Sequence, residues 1–229
     1  MNVITEKLPP KHPCERHLAA AVCCDCSGSM YGDPIKQLNE AMKFFGRELA
    51  KDSYSQGRID VTVISFASSA RTEMGFRSAE DYQAPSFNAS GMTAMNTAIN
   101  LALDSLEARK KEYKQSHINY YRPWLFVFSD GLPTDDDLTA ETQKRLQEYI
   151  SRKKVLYIPM AIGDNADIAC LQSYYPKNTE NKLVLKCHPN ALKDAFLWLS
   201  TSMSAASSSN PQLGTIQSPQ LPNTITIAL

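Results

Sequence analysis

The sequence predicts a three-layer α/β/α sandwich around a mostly parallel central sheet with one antiparallel edge strand. Two observations lead there. Continuous apolar runs at 18–25 and 123–130 each end in an acid, as expected of strands covered on both faces. Between the apolar runs lie amphipathic stretches of helical period, and that alternation calls for parallel strands joined by helices on both faces.

Taken in order, "LAAAVCCD" (18–25) is the first strand. "DPIKQLNEAMKFFGRELAKD" (33–52) sets Ile35, Leu38, Met42, Phe45 and Leu49 on one helical face, with Pro34 suited to the first turn. "RIDVTVISFA" (58–67) is a second β-branched run, and the more polar "RTEMGFRS" (71–78) follows a short turn, so the two form an antiparallel hairpin at a sheet edge. From Thr93 a helical pattern runs through Met95, Ile99, Ala102, Leu103 and Leu106 to about Tyr113. "PWLFVFSD" (123–130) is again a buried strand. A helix over 135–153, a strand over 154–163, a short helix over 167–174, a strand over 182–187 and a helix over 190–207 complete the order. Residues 1–17 form an N-terminal extension and 18–207 the domain. Residues 208–229 are rich in Ser, Pro and Gln without helical period, which predicts a flexible tail.

The bulk composition narrows the function classes. At 229 residues the chain suits one domain with a real core. Lys+Arg and Asp+Glu balance at 24 each, and 43% of residues are hydrophobic, which argues against a basic nucleic-acid footprint and against an acidic disordered chain. The apolar runs fall short of the ~18–20 residues of a membrane span, and the charged, proline-bearing start does not resemble a signal peptide. Cysteines 14, 23, 24, 26, 170 and 187 lack the spacing of a disulfide framework and suit a reducing compartment. The expectation is a cytoplasmic protein without nucleic-acid or membrane partners.

In open parallel sheets, ligands bind at the carboxyl ends of strands where the strand order reverses. Asp25 and Asp130 both stand at such ends. If their strands are neighbours, the two carboxylates meet the hydroxyls of Ser27 and Ser29 and one from the "GMT" loop, an all-oxygen set suited to Mg²⁺ or Mn²⁺. Gly28 and Gly131 are expected to let the two loops turn.

"DCSGSM", "SGMTAMNTA" and "FVFSDGLPTD" resemble the three segments of the metal-ion-dependent adhesion site of von Willebrand factor A domains. The resemblance spans about residues 18 to 205 and implies the Rossmann-like sandwich of that family. Matched residue by residue, it implies metal ligation by Asp25, Ser27, Ser29, Thr93 and Asp130, with Thr97 as an alternative to Thr93. Cys26 replaces the commoner Thr, Val or Arg at a position that is not a ligand. "GDPI", "SG.TA" and "DG.PTDD" look most like the small cytoplasmic bacterial members associated with tellurium resistance. That likeness implies a Mg²⁺-dependent protein-binding module in a stress or signalling complex, taking a partner's Glu or Asp at the metal, the partner being a neighbouring phosphatase or kinase. It also implies a last helix that shifts when the site is occupied.

Cys23, Cys24 and Cys26 read as small apolar residues rather than zinc ligands with His12, Cys14 and His17, because successive strand residues point to opposite faces. A nucleophilic serine needs a base, and the histidines at 12, 17, 117 and 188 lie outside the motif segments. The expectation is therefore no enzyme; a metal-dependent phosphohydrolase and a metal-independent scaffold are the alternatives. The run Asp135, Asp136 and Asp137 reads as a helix start, with the option of fencing one side of the metal against acidic partners.

Overall fold

The computed structural model describes residues 8–12, 14–53, 56–208 and 219–228. Its strands are β1 (Leu18–Asp25), β2 (Ile59–Phe66), β3 (Ala70–Ser78), β4 (Trp124–Ser129), β5 (Leu156–Ile162), β6 (Val184–Cys187) and β7 (Ile225–Ala228). The helices are α1 (Asp33–Lys51), α2 (Met95–Gln115), α3 (Thr139–Ser151), α4 (Ile168–Ser173) and α5 (Leu192–Ser208). The sheet runs β3-β2-β1-β4-β5-β6-β7. β1, β2, β4, β5 and β6 are parallel, and β3 pairs antiparallel with β2 through a register shift at Val63. The predicted fold class and its antiparallel edge hairpin are thus observed.

Strand β1 shows why the apolar runs are continuous. Leu18, Ala20, Val22 and Cys24 pack in the core shared with α1 and α5. Ala19, Ala21 and Cys23 pack in the core shared with α2. A strand buried on both faces has no polar alternation to display. Phe128 of β4 stacks on Phe196 of α5 with ring centroids 4.6 Å apart.

At the sheet's other edge the tail expected to be flexible from residue 208 differs from that reading. Residues 209–218 lie outside the described residues, but Ile225–Ala228 pairs antiparallel with β6 and Ile225 is buried. Trp198 Nε1 donates to the Pro219 carbonyl at 3.1 Å, and Thr224 Oγ1 donates to Asp194 Oδ2 at 2.7 Å. The reason is local: "ITIA" has strand alternation, and β6 is only four residues long with an open edge to fill. The sheet therefore has antiparallel strands at both edges, one more than the sequence predicts.

The third helix also starts later than expected. Residues 136–138 form a 3₁₀ turn and α3 begins at Thr139. Asp135 serves another helix, as the site geometry shows.

Candidate metal centre

β1 and β4 are neighbours, and the strand order reverses there, since α1 leads from β1 to β2 on one side while α2 carries the chain back to β4 on the other. In open parallel sheets the carboxyl ends of the two strands at such a reversal are where ligands bind. Asp25 is buried at the end of β1, and Ser129 and Asp130 stand at the end of β4.

Four of the five predicted residues are joined by hydrogen bonds. Ser27 N–H donates to Asp25 Oδ1 at 2.9 Å, Ser27 Oγ and Ser29 Oγ are 2.9 Å apart, and Ser29 Oγ donates to Asp130 Oδ1 at 2.8 Å. Ser129, which is not among the residues predicted from sequence, donates its hydroxyl to Asp25 Oδ2 at 2.7 Å and holds that carboxylate from the neighbouring strand. The signal was present as the hydroxyl beside the strand-end acid, but only the parallel register of β1 and β4 puts it against Asp25.

Thr93 arrives on a third loop, tied to both others through the backbone. Gly28 N–H donates to the Gly91 carbonyl at 3.0 Å, and Ser90 N–H donates to the Cys26 carbonyl at 2.9 Å. On the other side Thr93 N–H donates to Thr134 Oγ1 and Thr134 N–H to the Thr93 carbonyl, both at 2.9 Å. Gly91 makes this clasp by its φ of +76°, where a Cβ would also lie 2.3 Å from Ser68 Oγ. Gly28 and Gly131 play lesser parts than expected: neither has a left-handed φ, and a Cβ on Gly131 would meet open space.

Asp135 accounts for the helix end next to Thr93. Its Oδ1 accepts from Asn96 N–H at 3.2 Å and its Oδ2 from Thr97 N–H at 2.8 Å, so a carboxylate from the β4–α3 connection caps α2, whose own cap residue is Ala94. Thr97 Oγ1 also donates to Asp135 Oδ2, at 2.8 Å. The alternative hydroxyl is therefore engaged away from Asp25, whereas Thr93 sits in the clasp between the two acid-bearing loops.

Electrostatics fit a site that lacks positive charge. Burial pushes the Asp25 carboxyl up to about 6, against the hydrogen bonds from Ser27 and Ser129 that favour its ionised form, and the nearby Asp130 adds to the rise. Burial also raises Asp130. Two carboxylates and two or three hydroxyls without a Lys or Arg between them make a donor set for a hard divalent cation.

The cysteines belong to the walls. Cys23 Sγ donates to the Ala98 carbonyl on the α2 side, while Cys24 faces α1 and α5. Burial drives the Cys23 and Cys24 thiols well up and the Cys26 thiol to about 12. Among the described residues no group of three or more His, Cys, Asp and Glu side chains is placed to hold a metal, so the zinc alternative has no site there. His17 is buried at the far end of the sheet, 2.9 Å from Asp60 Oδ2. Beside the first loop a cavity of about 260 Å³ is lined by Cys26, Ser65, Arg71, Glu73, Phe87 and Ser90.

A profile of the von Willebrand factor type A domain matches residues 21–196. The chain belongs to the von Willebrand factor type A family. A von Willebrand factor A domain-containing protein of Dictyostelium discoideum is 26% identical over 201 residues, covering 81% of this chain and 21% of that protein. This chain thus spans about a fifth of that curated relative. Solved structures agree at the level of the fold. A von Willebrand factor type A protein from Catenulispora acidiphila superposes with TM-score 0.57 at 18% identity, covering 83% of this chain and 43% of that one. The type A domain of the type V pilus tip protein Mfa5 from Porphyromonas gingivalis gives TM-score 0.59 at 9% identity, covering 86% and 98%. Proximal thread matrix protein 1 of the mussel byssus, described with a zinc-occupied adhesion motif, gives 0.53 at 15% identity, covering 82% and 46%. Von Willebrand factor A domains are a family of protein-interaction modules.

Proposed function

We propose that this von Willebrand factor A domain is a divalent-cation-dependent protein-interaction module and not an enzyme. The observation that carries the proposal is the run of oxygens Ser27, Ser29 and Asp130 beside buried Asp25 at the reversal of strand order. Asp25, Ser27, Ser29, Thr93 and Asp130 would hold Mg²⁺ or Mn²⁺ there. A cation bound by so many neutral hydroxyls keeps net positive charge and supplies an attractive position for a partner's carboxylate. A zinc-occupied motif in the byssus protein supports a divalent cation.

The chain's own residues do the positioning. Ser129 and the Ser27 amide each bond one oxygen of Asp25 and fix the carboxylate at the strand end. The bonds that tie the Gly91 loop to Gly28 and to Thr134 hold the Thr93 backbone between the two acid-bearing loops, and exposed Ser29 and half-buried Asp130 are the solvent-facing members of the cluster. Ser27 and Ser29 bond to each other and Ser29 donates to Asp130, and the absence of a histidine among these hydrogen-bond partners supports a role other than that of a histidine-activated nucleophile. The six free thiols support a reducing, cytoplasmic setting. Motif resemblance alone supports a bacterial stress or signalling complex with a phosphatase or kinase as partner.

The test compares the chain with Asp25→Ala as baits in cell lysate, each with Mg²⁺ and with EDTA. Capture of a protein in Mg²⁺ that disappears with EDTA and with the variant is expected; capture indifferent to both contradicts the proposal.

A further inference from the structure

The three loops that carry the candidate ligands also carry exposed apolar side chains. Tyr31, two residues after Ser29, is 80% exposed; Met92, just before Thr93, is 58% exposed; Leu132, two after Asp130, is 56% exposed. Among the described residues the other exposed large hydrophobics are Leu197 of α5, at 39%, and Ile227 of the edge strand β7, at 52%, and neither stands on these loops. A single exposed hydrophobe is ordinary, but these three stand on separate loops that are hydrogen-bonded together at Ser29, Gly28 and Thr93, each within two residues of a candidate ligand. No packing role explains them: Met30, beside Tyr31, is the residue of that turn buried in the core.

Charge near these side chains narrows the partner further. Asp33, two residues after Tyr31, is exposed but pairs with Lys36 at 3.5 Å, whereas exposed Asp136 and Asp137 follow Leu132. On the Leu132 side of the apolar rim a partner therefore meets negative charge, which disfavours a second acid next to the first.

We infer that Tyr31, Met92 and Leu132 form an apolar rim that selects a partner segment in which one Glu or Asp stands alone between apolar side chains. The inference rests on the proposed cation-dependent capture of a carboxylate and specifies its partner. The lone acid reaches the ligand cluster, and its apolar neighbours cover the rim and exclude water around that contact.

Three immobilised synthetic peptides test this with the full chain: one glutamate flanked by leucines, one flanked by serines, and an all-glutamate run. Binding in Mg²⁺ is compared with binding in EDTA, for the wild type and for the triple variant Tyr31→Ser, Met92→Ser, Leu132→Ser, with cation affinity measured by calorimetry. Wild type is expected to hold the leucine-flanked peptide about tenfold more tightly than either other peptide, only in Mg²⁺, and the triple variant to lose that preference while still taking up the cation. Equal binding of all three peptides, or a preference that survives in the variant, overturns the rim alone. Failure of every glutamate peptide in Mg²⁺ overturns carboxylate capture and the rim with it. Light scattering that shows the chain pairing with itself in Mg²⁺ through the same three side chains also overturns it, since the rim would then be a self-contact.

Discussion

Ser29 Oγ donates to Asp130 Oδ1 at 2.8 Å across a sequence separation of 101 residues. That bond joins the loop after β1 to the loop after β4, and it puts a hydroxyl and a carboxylate of different loops on one centre.

Asp25 is held against its own stability. Its carboxyl stands at about 6 in the fold, up from the ordinary 3.8, first because it is buried. The folded chain therefore holds a proton between these values that the unfolded chain has released, and metal-free stability falls as pH rises through that window. Asp25→Asn removes the buried charge, so in EDTA the variant should exceed wild type at about pH 7.5 by on the order of 2 kcal/mol, the gap closing toward pH 4. Urea unfolding at the two pH values checks this; a variant weaker than wild type at the higher pH contradicts it.

The two threonines near α2 should separate cleanly. Thr93→Val is expected to weaken Mn²⁺ binding by about tenfold or more, as loss of a ligand does. Thr97→Val loses the hydroxyl bond to Asp135 and should cost about 1 kcal/mol of stability with cation affinity kept. Calorimetry and thermal unfolding on both variants decide it; the reverse pattern would make Thr97 the ligand.

The far end of the sheet carries a different dependence. Asp60 is buried with His17, Arg109 and Tyr113, its Oδ1 3.1 Å from Arg109 Nη2. Burial would raise its carboxyl, but the His17 hydrogen bond and the Arg109 charge outweigh that and hold it below the usual range. A depressed acid stabilises the fold above its unfolded value of about 4 and loses that contribution as pH falls through the folded value. Asp60→Asn leaves Arg109 buried beside a neutral group and should cost about 3–5 kcal/mol at neutral pH, flattening the acid limb of stability. Denaturant midpoints across pH measure both effects, and an unchanged acid limb would show that Asp60 does not govern it.

Thiol chemistry distinguishes wall cysteines from reactive ones. Cys14 is exposed, Cys23, Cys24, Cys26 and Cys187 are buried, and burial lifts Cys26 and Cys187 to about 12. Iodoacetamide on the native chain should label Cys14 first and leave those four until unfolding, as mass spectrometry of peptides will show. Early labelling of Cys26 would mean that the first loop opens.

Much of this site was legible because its residues lie where the chain changes period. Asp25 and Asp130 each end a continuous apolar run, so their strand ends could be read before any neighbour relation was known. Ser129 and Asp135 were not legible in their roles. Both act on a partner from another segment, Asp25 and the start of α2, and only strand order makes those segments adjacent. Likewise β7 was hidden by the Pro and Ser around it, since four residues of alternation carry little signal until an open edge is there to accept them. The exposed rim of Tyr31, Met92 and Leu132 leaves no periodic trace at all; surface exposure of a loop residue follows from the packed fold.

The central claim is that Asp25, Ser27, Ser29, Thr93 and Asp130 make one divalent-cation site, and titration calorimetry of Mn²⁺ into the EDTA-treated, dialysed chain tests it most directly. The account predicts a single saturable site in the wild type that is lost in Asp25→Ala and in Asp130→Ala while both variants stay folded by circular dichroism. Absence of binding in the wild type, or binding unchanged in both variants, would contradict it.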